Sequence, residues 1–101
     1  MLKALIVEDD RAKLQKISQV LLRISGLDVG NIISVPDSQS AKRLLKETSF
    51  DLMILDIVIP HRIDQDVAMD GGIKLLDELF ERDCYKIPAN IIGITDRKSV
   101  V

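Results

Sequence analysis

Four short, almost wholly apolar runs punctuate the chain: "KALIV" (3–7), "NIISV" (31–35), "DLMILDIVI" (51–59) and "IPANIIGIT" (87–95). A strand with one wet face alternates apolar and polar residues, whereas a strand covered on both faces reads as a continuous apolar run. Between these runs lie three segments of helical period. "RAKLQKISQVLLRIS" spaces Leu14, Ile17, Leu21 and Ile24 along one face; Asp9 or Asp10 can cap its start and Gly26 can close its end. After Pro36, Asp37 or Ser38 caps a helix carrying Ala41, Leu44 and Leu45. "IKLLDELFERD" places Ile73, Leu76, Leu79 and Phe80 together. The order β-α-β-α-β-α-β predicts an α/β domain over residues 1–101, a doubly wound parallel sheet with right-handed crossovers and helices on both faces.

Composition removes several classes of function. With 47% hydrophobic and 30% charged residues the chain has an ordinary globular balance. Its formal charge of −2, scattered Lys and Arg, and 3% aromatics leave neither a basic stripe nor a stacking platform, so no direct nucleic-acid binding is expected. The lone Cys84 cannot form an internal disulfide, which points to a reducing compartment. No apolar run nears the roughly 20 residues that span a bilayer. The N-terminal run is too short for a secretory leader. The expectation is a cytoplasmic protein with no membrane contact.

The chemistry lies at the carboxyl ends of the runs. The first ends on Glu8, Asp9 and Asp10, the third carries Asp56, and the fourth ends at Thr95. An open parallel sheet binds ligands outside these strand ends, so the fold gathers the acids on one rim. Clustered carboxylates repel and raise one another's pKa. A divalent cation removes that conflict, and Mg²⁺, which takes oxygen ligands from one or two carboxylates plus phosphate, suits the set. Asp9 and Asp10 also have a plainer reading as helix caps.

The motifs "LIVEDD", "DLMILDIVIP", "MDGGIKLL" and "IIGIT", in this order and on these strand ends, resemble the receiver domain of bacterial two-component response regulators. The resemblance covers essentially the whole chain. It implies a flavodoxin-like sheet of order 2-1-3-4, without the family's fifth strand and last helices. It implies that Asp56 accepts a phosphoryl group from a sensor histidine kinase or a phosphotransfer protein. Mg²⁺ would be held by Asp9 directly, by Asp56 and by the backbone carbonyl of Val58, with Glu8 acting through water and Thr95 closing on the phosphoryl group, and the outcome would be passed to a partner or a fused effector. Such a domain is a signalling switch and not an enzyme in the ordinary sense.

The chain departs from the family pattern in three places. "HRIDQDVAMD" (61–70) lengthens the joint between Pro60 and Gly71, either as a surface insertion or as a docking or covering loop. Asp96 follows Thr95 where the family has a small residue, and its charge opposes a phosphoryl group. The family's phosphoryl-pairing Lys is missing, and Lys98 is a weak substitute from the wrong element. Asp10, Asp96 and Lys98 are therefore read as modulators. These departures keep a second function open, a non-phosphorylated receiver-like interaction module. A phosphohydrolase of the haloacid-dehalogenase type needs a second Asp two residues after the first, and position 58 is Val. The apolar fourth run, left without a fifth strand beside it, is expected to form an exposed edge and to drive homo-oligomerisation.

Overall fold

The structure, a computed structural model, describes residues 2–60, 67–68 and 71–94. In chain order it contains β1 (Ala4–Val7), α1 (Arg11–Leu21), a 3₁₀ turn (Val29–Asn31), β2 (Ile32–Val35), α2 (Ser38–Glu47), β3 (Leu52–Asp56), β4 (Ile59–Pro60), β5 (Val67–Ala68), α3 (Gly71–Glu81) and β6 (Asn90–Ile94). The main sheet runs β2-β1-β3-β6 with every pairing parallel. With the two short strands β4 and β5 set aside, this is the expected order 2-1-3-4.

Strand alternation divides the core into two layers. Leu5, Val7, Met53 and Leu55 point to the side covered by α2 and α3, where they meet Ala41, Leu45, Leu75 and Leu79. Ala4, Ile6 and Ile54 point the other way, onto Leu21 and Leu27, with Leu14 and Ile17 of α1 packed alongside. All four residues of β1 are fully buried, as its unbroken apolar run requires. The helix starts follow the capping logic. Asp10 accepts from the Ala12 N–H at 2.9 Å to cap α1, and Asp37 accepts from the Ser40 N–H at 2.7 Å to cap α2.

Three local features differ from the sequence reading. The third apolar run is two pieces. The Asp56 side chain accepts from the Val58 N–H two residues on, an Asx turn that takes the chain out of the ladder. Ile59–Pro60 then pairs antiparallel with Val67–Ala68, inside what reads as a polar loop. Helix α1 ends at Leu21, because the next bonds, from Arg23 and Ile24, reach back only three residues, and Gly26 follows at φ 95°. Ile24 is left exposed.

Helix α3 buries a different stripe from the expected one. Gly71, Gly72, Leu75 and Leu79 face inward, while Ile73 and Phe80 face out. The two glycines explain this roll. A Cβ on Gly72 would stand 2.5 Å from the carbonyl oxygen of Asp56 and 2.7 Å from the Ile57 Cα. One on Gly71 would collide with the Ile59 carbonyl. Only bare backbone fits against β3 and β4 here, so the glycines fix which side of α3 touches the sheet. Gly72→Ala should therefore lower stability by about 1–3 kcal/mol through overpacking against backbone that cannot move aside. Urea denaturation of the variant should show a lower midpoint at unchanged slope.

Candidate functional site

Parallel pairing brings the key residues together. Strand β1 pairs with β3 at a constant offset, Ala4 with Leu52 through to Val7 with Leu55. One residue further along, that offset sets Glu8 beside Asp56. The Glu8 N–H still bonds the Val35 carbonyl at 3.0 Å, so the acid is held as firmly as the strand before it. Asp9 follows at the mouth of the rim. One carboxylate oxygen from each of Glu8, Asp9 and Asp56 lies within 4.8 Å of the others. Glu8 and Asp56 are buried at 2% and 1% exposure, while Asp9 is exposed.

Lys13 joins them. Its ammonium lies 2.8 Å from Asp56 Oδ2 and 3.0 Å from Glu8 Oε1. On the other side of Asp56, Oδ1 accepts from the Val58 N–H at 3.0 Å. The two Glu8 oxygens receive no well-directed hydrogen bond, despite the ion pair. Buried acceptors left in that condition are costly, and they suit a cation with several oxygen ligands.

The electrostatics separate the two buried acids. Burial pushes the Glu8 carboxyl from 4.5 up to about 8; hydrogen bonding to Asp56 and its charge add to the rise, and Lys13 opposes it. Burial works to raise Asp56 as well. There, hydrogen bonds from Glu8, Lys13 and the Val58 N–H outweigh it and hold the group below its ordinary 3.8. The two shifts run in opposite directions, so at neutral pH they favour the proton on Glu8 and the negative charge on Asp56.

The other sequence candidates fall in different places. The Asp10 carboxylate is turned away to cap α1. Val58 contributes its N–H to the Asp56 turn. Thr95, Asp96, Lys98 and most of the 61–70 stretch, including His61, Asp64 and Asp66, lie outside the described residues. A cleft of about 270 Å³ opens beside Glu8 and Asp9, lined also by Arg11, Ser34 and Pro36. A larger one of about 490 Å³ lies between α1 and β2, away from the acids and without a charged side chain. Lys13 was missed in the sequence, where it reads as one more solvated Lys on a helix. The available signal was its place in the first turn after the acids. Helical side chains lean toward the N-terminus, so a long one there reaches back over the rim.

A four-stranded parallel sheet of this order, with an acidic cluster where β1 and β3 end, defines a flavodoxin-like class of α/β domain. The chain belongs to the response regulator receiver domain family, whose sequence pattern it matches over residues 4–101. It is similar to the MaeR response regulator bound to beryllium trifluoride, at 29% identity and a TM-score of 0.72 over 98% of this chain and 70% of that one. It is also similar to the N-terminal domain of an uncharacterized protein (WS1339) from Wolinella succinogenes, at 25% identity and a TM-score of 0.69 over 98% of this chain and 68% of that one. Among curated sequences it is 33% identical over 94 residues to the uncharacterized protein y4jS of Sinorhizobium fredii, covering 93% of this chain but only 22% of that relative.

Receiver domains are signalling domains that interact with histidine kinases or phosphotransfer proteins and with effectors. They generally bind Mg²⁺ at an acidic pocket, and in this chain Glu8, Asp9 and Asp56 form an acidic cluster at the strand ends. No helix among the described residues is long and apolar enough to cross a membrane.

The Glu8 proton makes the metal-free protein sensitive to pH. The folded pKa lies above the unfolded one, so Glu8's contribution to stability is complete below pH 4.5 and is lost as pH rises through about 8. Denaturation in the presence of EDTA should show stability declining across this window. Glu8→Gln, which keeps a donor toward Asp56 and cannot ionise, should flatten the decline; an unchanged slope would mean that Glu8 does not hold the proton.

Proposed function

We propose that this chain is a phospho-accepting receiver that takes a phosphoryl group onto Asp56 from the phosphohistidine of a sensor kinase or phosphotransfer protein and so switches a partner or effector. The observation that carries this reading is an ionised Asp56, 1% exposed, at the end of a central strand and beside two further acids. An Asp56 oxygen forms the new P–O bond while the donor's P–N bond breaks, its electron pair returning to the imidazole. Phosphoryl transfer needs positioning and charge neutralisation more than covalent assistance. The Val58 N–H and the turn it closes hold the acceptor in place. Glu8, Asp9, Asp56 and the Val58 carbonyl are the groups that would hold Mg²⁺, which when bound neutralises charge on the transferred group. In this reading Thr95 closes on the phosphoryl group, Asp96 and Lys98 modulate it, and the cytoplasm is where such a switch works.

Lys13 favours a second reading. An ammonium already seated on Glu8 and Asp56 is what a non-phosphorylated interaction module would use to neutralise inherited acids. Labelling by a small phosphodonor in Mg²⁺ separates the two. Wild type should label and bind beryllium fluoride, and Asp56→Asn should lose labelling while staying folded. Equal labelling of both proteins rules out Asp56 as the acceptor, and no labelling or beryllium fluoride binding by wild type leaves the interaction module.

The β6 edge bears on partners. Among the described residues Asn90–Ile94 is the outer strand beside β3, with Ile92 50% exposed. An apolar edge favours strand addition by a second copy. Sedimentation at micromolar concentration should show a dimer or larger species; a single monomeric species stable over days removes edge pairing.

A further inference from the structure

The first turn of a helix is an unfavourable place for a cation, because the exposed N–H groups there carry the positive end of the helix dipole. Lys13 occupies that position, three residues after the Asp10 cap. Its ammonium does not turn out to solvent; it leans back over the rim and contacts Glu8 and Asp56 together, at 3.0 and 2.8 Å. The two carboxylates have no comparable freedom, their side chains being 0% and 1% exposed, while the Lys13 side chain keeps 22% of its surface open. The cation therefore has an exit and its partners do not.

From this geometry, and resting on the receiver reading above, we propose that Lys13 is a tethered counter-ion that occupies the acidic site in the resting protein and must swing out when a divalent cation binds. The two states exclude each other for steric and electrostatic reasons. A Mg²⁺ ion sits 2.0–2.1 Å from its oxygen ligands. An ammonium within hydrogen-bond reach of the same two carboxylates leaves no room for that ion and repels it. Lys13 thus keeps the buried acids compensated without metal and lowers the affinity of the site for metal. Asp9 is exposed at the mouth of the rim, where it can meet an incoming ion first.

Calorimetric titration of Mn²⁺ or Mg²⁺ into wild type, Lys13→Gln and Lys16→Gln tests this. Lys16→Gln removes the same charge from the exposed side of the same helix, so it measures the effect of net charge alone. Lys13→Gln should bind metal about tenfold or more tightly, and Lys16→Gln should stay within about twofold of wild type. Equal tightening in both variants, or equal or weaker binding by Lys13→Gln, overturns the proposal while leaving the receiver reading intact. Because Lys13→Gln exposes uncompensated acids and can fail to fold without metal, wild type supplies a second readout. Acetylation of the Lys13 amine, followed by mass spectrometry, should rise several-fold on saturation with Mg²⁺. Unchanged or reduced labelling on a metal-bound protein refutes the displacement. No metal binding by wild type or either variant refutes the Mg²⁺-dependent receiver reading and this inference with it.

Discussion

Two buried carboxylates on adjacent strand ends, Glu8 and Asp56, set the terms for everything around them. Parallel pairing of β1 with β3 forces them side by side, and the apolar run behind each forbids retreat into solvent. An uncompensated pair in that position would cost several kcal/mol. The domain meets the cost in three ways: a proton kept on Glu8, the Lys13 ammonium between the two acids, and the Val58 N–H on the far oxygen of Asp56. None of these consumes Asp56 covalently, and two of the three are exchangeable.

The architecture was legible in the sequence because it follows from a coarse signal. Continuous apolar runs alternating with helical periods leave few solutions besides a parallel sheet, and "LIVEDD" and "LMILD" fix which ends carry the acids. What was not legible depends on atoms rather than on pattern. The roll of α3 is set by two glycines against the Asp56–Ile57 and Ile59 backbone, so the apolar Ile73 and Phe80 end up outside although they keep helical spacing. Helix α1 stops before Ile24 because its last turn tightens to three-residue bonds, which hydropathy does not record. Lys13 shows the limit most clearly. A Lys between apolar helical positions is nearly always a solvated face, and only the position of the neighbouring strand ends turns it into part of the site.

The two faces of the sheet are unequally covered. Two helices shield one layer, tied to each other by Lys42 to Glu78 at 3.1 Å. Among the described residues the other layer has α1 alone, and there Ile92 and Val20 are at least half exposed. A shallow apolar groove of about 250 Å³ runs between Ile17, Val20, Ile54 and Ile94. The better-covered side of the sheet is therefore the one that carries α3, and the more open side is the one that carries α1 and Lys13.

This asymmetry bears on how an event at Asp56 reaches the surface. Asp56 is gripped by the N-terminal ends of two helices, in different ways. Helix α3 holds its backbone: the Gly72 N–H bonds the Ile57 carbonyl at 2.7 Å, and bare backbone packs against Asp56 itself. Helix α1 holds its side chain, through Lys13. The first grip is steric and short-ranged, so a shift of the Asp56–Ile57 backbone must displace α3 and its exposed Ile73 and Phe80 with it. The second is ionic and reversible, so it responds to a change of charge without any movement of the strand. A group added to Asp56 changes both charge and volume. The fold therefore has one contact that registers each, on opposite faces of the same strand.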